Sequence, residues 1–289
     1  MLSPEEMTRF WSDGYLVVPN AVTPEQLTAL RTEVSAWVEE SRRHAAPYGE
    51  MIDGRPRFDL EAGHTAGHPR LRRINCPSEV SSAFYGVMSN GATVDMVVDL
   101  VGPNVKFHHC KVNLKLPGTN TYVGYHQDFS YTPHTNDDIV TALLMLDDMT
   151  TENGCLMPVP RSHREGQLSL YEGETFVGQT STEETARLRR RAVPIAGPAG
   201  SVCLMHTNLV HGSEANRSAS PRGLYICVYT AADAFPLSSN PLPNRYEGTI
   251  LRGRGTRVAR LMAARIELPS QGKVASFFTT QGQRSAGGN

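Results

Sequence analysis

Apolar residues fall at helical spacing near the N-terminus and in short strand-like runs further on, and this change of period organises the chain. Ser3-Pro4-Glu5-Glu6 supplies a capping residue, a Pro at the first helical position and a Glu placed for a capping box, so a short helix is predicted there. Thr23-Pro24-Glu25-Gln26 repeats the device. Leu27, Leu30, Val34, Trp37 and Val38 then form one stripe, which predicts a second helix lying against a core. Gly14 to Pro19, between the two, reads as a short buried strand. Residues 44–78 are rich in Gly, Pro, Arg and His, show no periodicity and read as a long loop of the kind that covers a site. A further helix is predicted around Ala92 to Leu100.

Strand character follows. Val105 to Leu116 alternates, Ile139 to Met145 is a continuous apolar run, and Cys155 to Val159, Ser201 to Met205 and Gly223 to Thr230 are shorter runs. Turn signals such as Pro117-Gly118 and Asn153-Gly154 separate them. A helical preface and many short strands without βαβ alternation predict a mainly β fold with flanking helices, its antiparallel sheet closed or sandwiched. Residues 164–192 break the strands with a polar stretch ending in Arg187-Leu188-Arg189-Arg190-Arg191, which reads as a rim insertion with a surface-facing basic run. The organisation expected is one domain over 1–289, with N-terminal helices in 1–43, a lid loop at 44–78, the rim insertion at 164–192 and a basic C-terminal extension at 237–289.

Composition narrows the classes. The 289 residues carry 28 Lys and Arg against 29 Asp and Glu, a net charge of -1, which gives no sequence-wide reason to expect nucleic acid. From Phe235 onward eight Arg and Lys face two Glu, so the preceding 234 residues carry about -7. The basic tail predicts a solvated helix from Thr256 to Ile266 with a frayed Gly/Ser end. No run of 18 apolar residues exists and no secretory signal is visible, so neither a membrane span nor export is expected. Cys76, Cys110, Cys155, Cys203 and Cys227 are scattered without a CxxC pair, as in a cytoplasmic protein with reduced thiols and no structural zinc.

The sharpest chemical feature is Tyr125-His126-Gln127-Asp128. In a strand, residues i and i+2 share a face, so His126 and Asp128 would point together into one cavity. His211 stands 83 residues beyond Asp128 in His211-Gly212-Ser213, with Arg222 eleven residues further on. Two His and one carboxylate form a facial triad that leaves adjacent positions on a metal open, which suits non-haem Fe(II) binding a co-substrate and O2 together. An oxo-acid co-substrate needs its remote carboxylate anchored; Arg222 can do so through two parallel charge-assisted hydrogen bonds, with the Ser213 hydroxyl adding another. His206 is a competing ligand candidate, although it lacks the following Gly-Ser.

At this point the chain resembles the phytanoyl-CoA dioxygenase family of Fe(II)/2-oxoglutarate-dependent oxygenases, over roughly Leu2 to Pro236. The resemblance rests on Phe10-Trp11-x-Asp13-Gly14-Tyr15-Leu16-Val17-Val18 and on Tyr125-His126-Gln127-Asp128. It continues through Glu152-Asn153-Gly154-Cys155-Leu156, Pro158-Val159-Pro160-Arg161-Ser162-His163, Val210-His211-Gly212-Ser213, Asn216 and Arg222. It implies a double-stranded β-helix (a cupin-like jelly roll), iron on His126, Asp128 and His211, and 2-oxoglutarate on Arg222 and Ser213, with O2 as the other co-substrate. Lys111-Val112-Asn113-Leu114-Lys115 looks like the strand that supplies an Asn to 2-oxoglutarate in the ectoine hydroxylase branch, which extends that role to Asn113. One departure is Arg161, where the family usually has Gly, and it puts the conformation of that turn in question.

Further candidates come from position alone. Phe129 and Tyr131 follow Asp128 and could line a substrate pocket; His108, His109, His134, Arg72 and Arg73 could meet substrate, and Lys111 could face 2-oxoglutarate. Gln127 should point away from the metal, and His163 should order the turn that it ends. The function expected is hydroxylation of an unactivated C–H bond of a small or medium molecule, natural product or amino-acid-like, with release of succinate and CO2. Desaturation, cyclisation or epimerisation with the same cofactors, and a non-catalytic metal-binding jelly roll, stand as alternatives. A monomer or homodimer is expected, acting on a small molecule without nucleic acid or membrane.

Overall fold

The computed structural model describes residues 1–269. Both capping boxes form: Ser3 starts α1 (Pro4–Asp13) and Thr23 starts α2 (Pro24–Ser41), with β1 (Tyr15–Val18) between them. Gly14 ends α1 at φ +85°, and a Cβ there would meet the His163 ring at 2.5 Å, so the position takes glycine on both counts.

The segment 44–78 departs from the expected loop. It folds into β2 (Tyr48–Ile52), β3 (Arg55–Leu60) and β4 (Leu71–Asn75), which extend the main sheet through the pairing of Arg73, Ile74 and Asn75 with Asn113, Val112 and Lys111. Its alternation is invisible because charged residues are buried among the apolar ones. Arg57 is only 1% exposed, held by ion pairs to Glu50 (2.5 Å) and Glu79 (2.8 Å) and by the carbonyls of Asn75 and Cys76. An unforeseen helix, α3 (Ser82–Asn90), capped by Ser81, precedes the expected one, α4 (Ala92–Val101).

The remaining strands are β5 (Val105–Lys115), β6 (Val123–His126), β7 (Ile139–Met145), β8 (Met157–Pro158), β9 (Tyr171–Glu172), β10 (Thr175–Phe176), β11 (Val202–His206), β12 (His211–Ser213), β13 (Arg222–Ala231) and β14 (Ile250–Arg252). The main antiparallel sheet runs β1-β11-β7-β13-β5-β4-β3-β2 with β14 beside β5, and a smaller sheet runs β6-β12-β8. The rim insertion carries the β9–β10 hairpin and α5 (Thr182–Arg189). This is a double-stranded β-helix flanked by helices.

Parity on β13 and β7 separates two environments. Tyr225, Cys227 and Tyr229, with Val140, Ala142 and Leu144, pack under the helices, and the Tyr225 and Tyr229 hydroxyls donate to the carbonyls of Phe84 and Met88 in α3. Arg222, Leu224, Ile226 and Val228, with Thr141 and Leu143, turn the other way and line a cavity. On β5 the register shifts opposite Val228/Tyr229, at a bulge around His108, so that His109, Lys111 and Asn113 reach the cavity while Val105 and Phe107 remain under the helices.

The expected helix Thr256–Ile266 does not form. Arg260 pairs with Asp138 and Asp233, and the backbone N–H groups of Arg260 and Met262 donate to the carbonyls of Asp233 and Thr135, so these tertiary contacts replace helical hydrogen bonds. The Gly/Ser end lies outside the described residues. All five cysteines are free and buried. Among the described residues no helix is long and apolar enough to cross a membrane.

Candidate active site

The smaller sheet aligns two imidazoles. β12 pairs with β6 so that His211 stands opposite His126, and their ring centroids are 4.3 Å apart. A short turn after β6 brings Asp128 back beside them, its Oδ1 3.6 Å from His126 Nε2 and 3.8 Å from His211 Nε2. His126 Nδ1 lies 2.8 Å from the Gly124 carbonyl and His211 Nδ1 3.0 Å from that of Leu209. A carbonyl only accepts, so each Nδ1 carries the proton, and in the neutral ring each Nε2 offers a lone pair toward Asp128. Asp128 Oδ2 accepts from the Thr141 hydroxyl at 2.7 Å, which leaves Oδ1 for a ligand.

The electrostatics suit a cation. Burial and the neighbouring His126 lower the pKa of His211 to about 4, so the ring is neutral at neutral pH, the form that binds a metal. Burial pushes the Asp128 carboxyl up, but the pull of His211 and His126 outweighs it and holds the group below the usual carboxylate range. Among the described residues, these three are the only His, Cys, Asp and Glu side chains grouped closely enough to share an ion, with ligand atoms within 4.8 Å of one another. Three donors oriented by hydrogen bonds on their far sides fit a divalent transition metal.

His206 is elsewhere. Its Nε2 faces Asp137 at 3.8 Å, its Nδ1 accepts from the Asn208 N–H, and its ring packs on Trp11 and His163.

The cavity, about 520 Å³, runs from this triad to Arg222. Arg222 is 3% exposed, donates through Nε to the Gly154 carbonyl at 3.2 Å, and makes no ion pair with the described residues. Burial lowers its pKa to about 10, so it stays charged at neutral pH without a counter-ion, as a receptor for a carboxylate must. The motif around Gly154 explains how its carbonyl is aimed. Gly154 has φ +79°, and a Cβ there would meet the Glu214 carbonyl at 2.4 Å, while Asn153 ties the turn to the carbonyls of Asp148 and Pro221. Ser213 accepts from Lys115 Nζ at 2.7 Å, which frees its own hydroxyl proton for a ligand. Asn113 lines the same cavity, and its Oδ1 accepts from Arg73 Nε at 3.3 Å.

The other candidates divide. Tyr131 lines the cavity with Phe176 of the rim insertion, their rings 5.3 Å apart, and the Tyr131 hydroxyl donates to the Gly178 carbonyl. His109 also lines it. Phe129 does not: it is fully buried against Ile139 and Val228. His134 sits one layer back, its ring 5.0 Å from His108, with Nδ1 on the Thr132 carbonyl. Arg72 turns outward to Asp59 at 2.8 Å, while Arg73, the next residue and so on the opposite face, turns in. Sequence reasoning missed Arg55, Phe176 and residues 238–242 at the mouth, none of which carries a motif. Gln127 points away, donating to the carbonyls of Gly166 and Asn208 and so anchoring the rim insertion. Arg161 adopts the glycine-like φ of +69°, so the turn survives the substitution; Ser162 then accepts from the Val210 N–H beside His211. The basic run faces the surface in ion pairs with Glu184, Glu214 and Glu165.

A facial triad at one end of a cavity and a lone guanidinium at the other is the arrangement of the non-haem Fe(II)/2-oxoglutarate dioxygenases. Comparison with known proteins carries this to the family: the model of phytanoyl-CoA dioxygenase (PhyH) matches residues 10–224, and the chain belongs to that family. A probable alpha-ketoglutarate-dependent hypophosphite dioxygenase of Stutzerimonas stutzeri is 27% identical over 270 residues, spanning 92% of this chain and 91% of that protein. An ectoine dioxygenase of Nocardia farcinica is 27% identical over 249 residues, spanning 79% and 78%. The crystal structure of iron-bound EctD from S. alaskensis shares the fold at 23% identity and a TM-score of 0.64, over 90% of this chain and 87% of that one. The chain is therefore an Fe(II)- and 2-oxoglutarate-dependent oxidoreductase.

Proposed function

We propose that this dioxygenase hydroxylates an unactivated C–H bond of a small or medium molecule, of natural-product or amino-acid-like type, and releases succinate and CO2. In this reading His126, Asp128 and His211 hold the iron, and Arg222, Ser213 and Asn113 hold 2-oxoglutarate. The convergence of three oriented donors opposite a buried, uncompensated guanidinium carries the reading. Relatives named for ectoine and for hypophosphite support a small substrate. The five free thiols support a cytoplasmic setting.

Iron, when bound, supplies the activation of O2 that decarboxylates 2-oxoglutarate and oxidises the C–H bond. O2 takes up four electrons, two from each of these partners; one oxygen atom enters succinate and the other enters the product. The protein supplies placement. Thr141 and the carbonyls of Gly124 and Leu209 fix the ligand side chains, Arg222 and Ser213 set the direction of the oxo-acid, and Tyr131 with Phe176 narrows the mouth against water.

The test is purified protein with Fe(II), 2-oxoglutarate and ascorbate against amino acids, cyclic osmolytes, small natural products and hypophosphite, scored by succinate and then by product mass. A gain of one oxygen is expected. A loss of two hydrogens would assign desaturation instead, and absence of 2-oxoglutarate consumption with and without every substrate would contradict the reading.

A further inference from the structure

The segment 256–269 has no regular secondary structure, yet its contacts follow a line that ends at the cavity. Arg260 pairs with Asp138 and, at 3.0 Å, with Asp233; its carbonyl accepts from Asn136 Nδ2 at 3.1 Å, and the Met262 N–H donates to the Thr135 carbonyl at 2.9 Å. Met262 and Ile266 then pack on the cluster of Phe129, Ile139 and Val228, of which Val228 also lines the cavity. Further along, Glu267 accepts from the Ser169 hydroxyl and the Leu268 carbonyl from the Tyr171 hydroxyl, both at 2.9 Å. Pro269 is part of the cavity wall.

Ser169 and Tyr171 belong to the rim insertion, and this connects the segment to the site. The Tyr171 ring meets that of Phe176 edge-on at 5.2 Å between centroids, Phe176 meets Tyr131 at 5.3 Å, and Tyr131 meets His126 at 5.5 Å. A continuous row of rings thus runs from the segment to one member of the triad. The insertion that carries Phe176 is held by Gln127 and by residues 267–268.

The hold of the segment is light. The Arg260 side chain is 48% exposed, where ion pairs contribute little and salt screens them. Val258 and Leu261 stand in water at 74% and 76% exposure. Few buried apolar contacts and solvent-facing hydrogen bonds put such a segment at the low-stability end of a molecule, able to open while the barrel stays folded.

We propose that residues 256–269 act as a strap on the active site, pinning the rim insertion over the cavity mouth and so setting how fast small molecules enter and leave. This rests on the dioxygenase reading above, since 2-oxoglutarate is the molecule whose passage reports it. None of the contacts just described is with Arg222, Ser213 or the triad. Loosening the strap should therefore change entry and exit in the same proportion and leave affinity nearly constant.

The test is anaerobic stopped-flow mixing of 2-oxoglutarate with the full-length Fe(II)-loaded protein, beside hydrogen exchange of the Met262 amide. Arg260→Glu sets a carboxylate against Asp138 and Asp233. It should speed that exchange about tenfold and raise both the association and dissociation rates about threefold, with Kd held within about twofold. Tyr171→Phe keeps the ring on Phe176 and removes only the bond to Leu268, so both rates should rise together by a smaller factor. Exchange unchanged in Arg260→Glu would overturn the proposal, as would faster exchange with neither rate moved. So would one rate moving alone with the matching shift in Kd. Should Arg260→Glu fail to fold, Tyr171→Phe decides by the same criterion on the rates. Wild-type protein that takes up no 2-oxoglutarate would instead overturn the dioxygenase reading.

Discussion

The two cationic ends of one cavity are built in different ways. At the Arg222 end the polar groups are fixed by direct hydrogen bonds between segments remote in sequence, Arg222 Nε to the Gly154 carbonyl and Lys115 Nζ to the Ser213 hydroxyl. Gly154 presents its carbonyl to Nε because its φ is positive, and Ser213 lies two residues after His211. At the Lys111 end the groups come from β3, β4, β5 and the 238–242 segment, brought together by sheet register and by hydrogen bonds that include Arg73 to Asn113 and Arg55 to Pro241. In the reading proposed above, the first end holds the oxo-acid, and the second forms another part of the same cavity wall.

Acid should have the largest effect, because buried imidazoles both at the triad and away from it titrate well below neutrality. Burial lowers His206, His211 and His134 to about 4 and His108 to about 3, against roughly 6.5 in an unfolded chain. Above about pH 6.5 the rings are neutral in both states; below it the unfolded chain takes up protons that the folded one refuses. Stability of the metal-free protein should therefore be full above pH 6.5 and fall by several kcal/mol as pH drops toward 4. His134→Gln should remove about one proton from that slope. Urea midpoints between pH 7.5 and 4.5 measure this, and a flat profile would contradict the buried neutral assignment.

Loss of the guanidinium should be the next largest effect. Arg222→Met is expected to raise the Kd for 2-oxoglutarate about a hundredfold, the equivalent of roughly 3 kcal/mol for a bidentate charge-assisted pair. Calorimetry with Fe(II) present checks it, and a change below fivefold would move the anchor elsewhere.

Two glycines sharpen the comparison. Gly154→Ala meets both a left-handed φ of +79° and a carbonyl 2.4 Å from the new Cβ, so a loss of about 2–3 kcal/mol is expected. Gly54, also on the cavity wall, has φ +76° but nothing within 4 Å, so Gly54→Ala should lower stability by only about 1 kcal/mol. Equal losses would mean that the packing around Gly154 has no special role. The smallest effect belongs to Arg161→Gly. It relieves a left-handed Arg at φ +69° but adds freedom to the unfolded chain, so the shift should stay within about 1 kcal/mol.

The same contrast explains what could be read from the chain beforehand. Capping boxes announce α1 and α2, and the apolar run Ile139–Met145 coincides with β7, because each is a local signal. The triad is legible because a two-residue spacing and a Gly-Ser after His211 mark it. The strands in 44–78 are not, since Arg57 and Arg73 occupy inward positions that a hydrophobic pattern expects to be apolar. Arg72 and Arg73 are equivalent in the sequence, and only sheet register shows which one turns inward. Phe129 and Tyr131 share strand parity, but the turn at Asp128–Ser130 breaks it and sends Phe129 into the core. The tail at 256–266 has helical composition, and charge pairs to Asp138 and Asp233 override it.

The central claim is that His126, Asp128 and His211 take one iron. Anomalous diffraction at the iron edge, from crystals grown without oxygen in Fe(II) and 2-oxoglutarate, tests it directly. One peak is expected, at about 2.0–2.2 Å from His126 Nε2, Asp128 Oδ1 and His211 Nε2, by the bond lengths of first-row metals to such ligands. A peak on His206, or none between the two imidazoles, would contradict it.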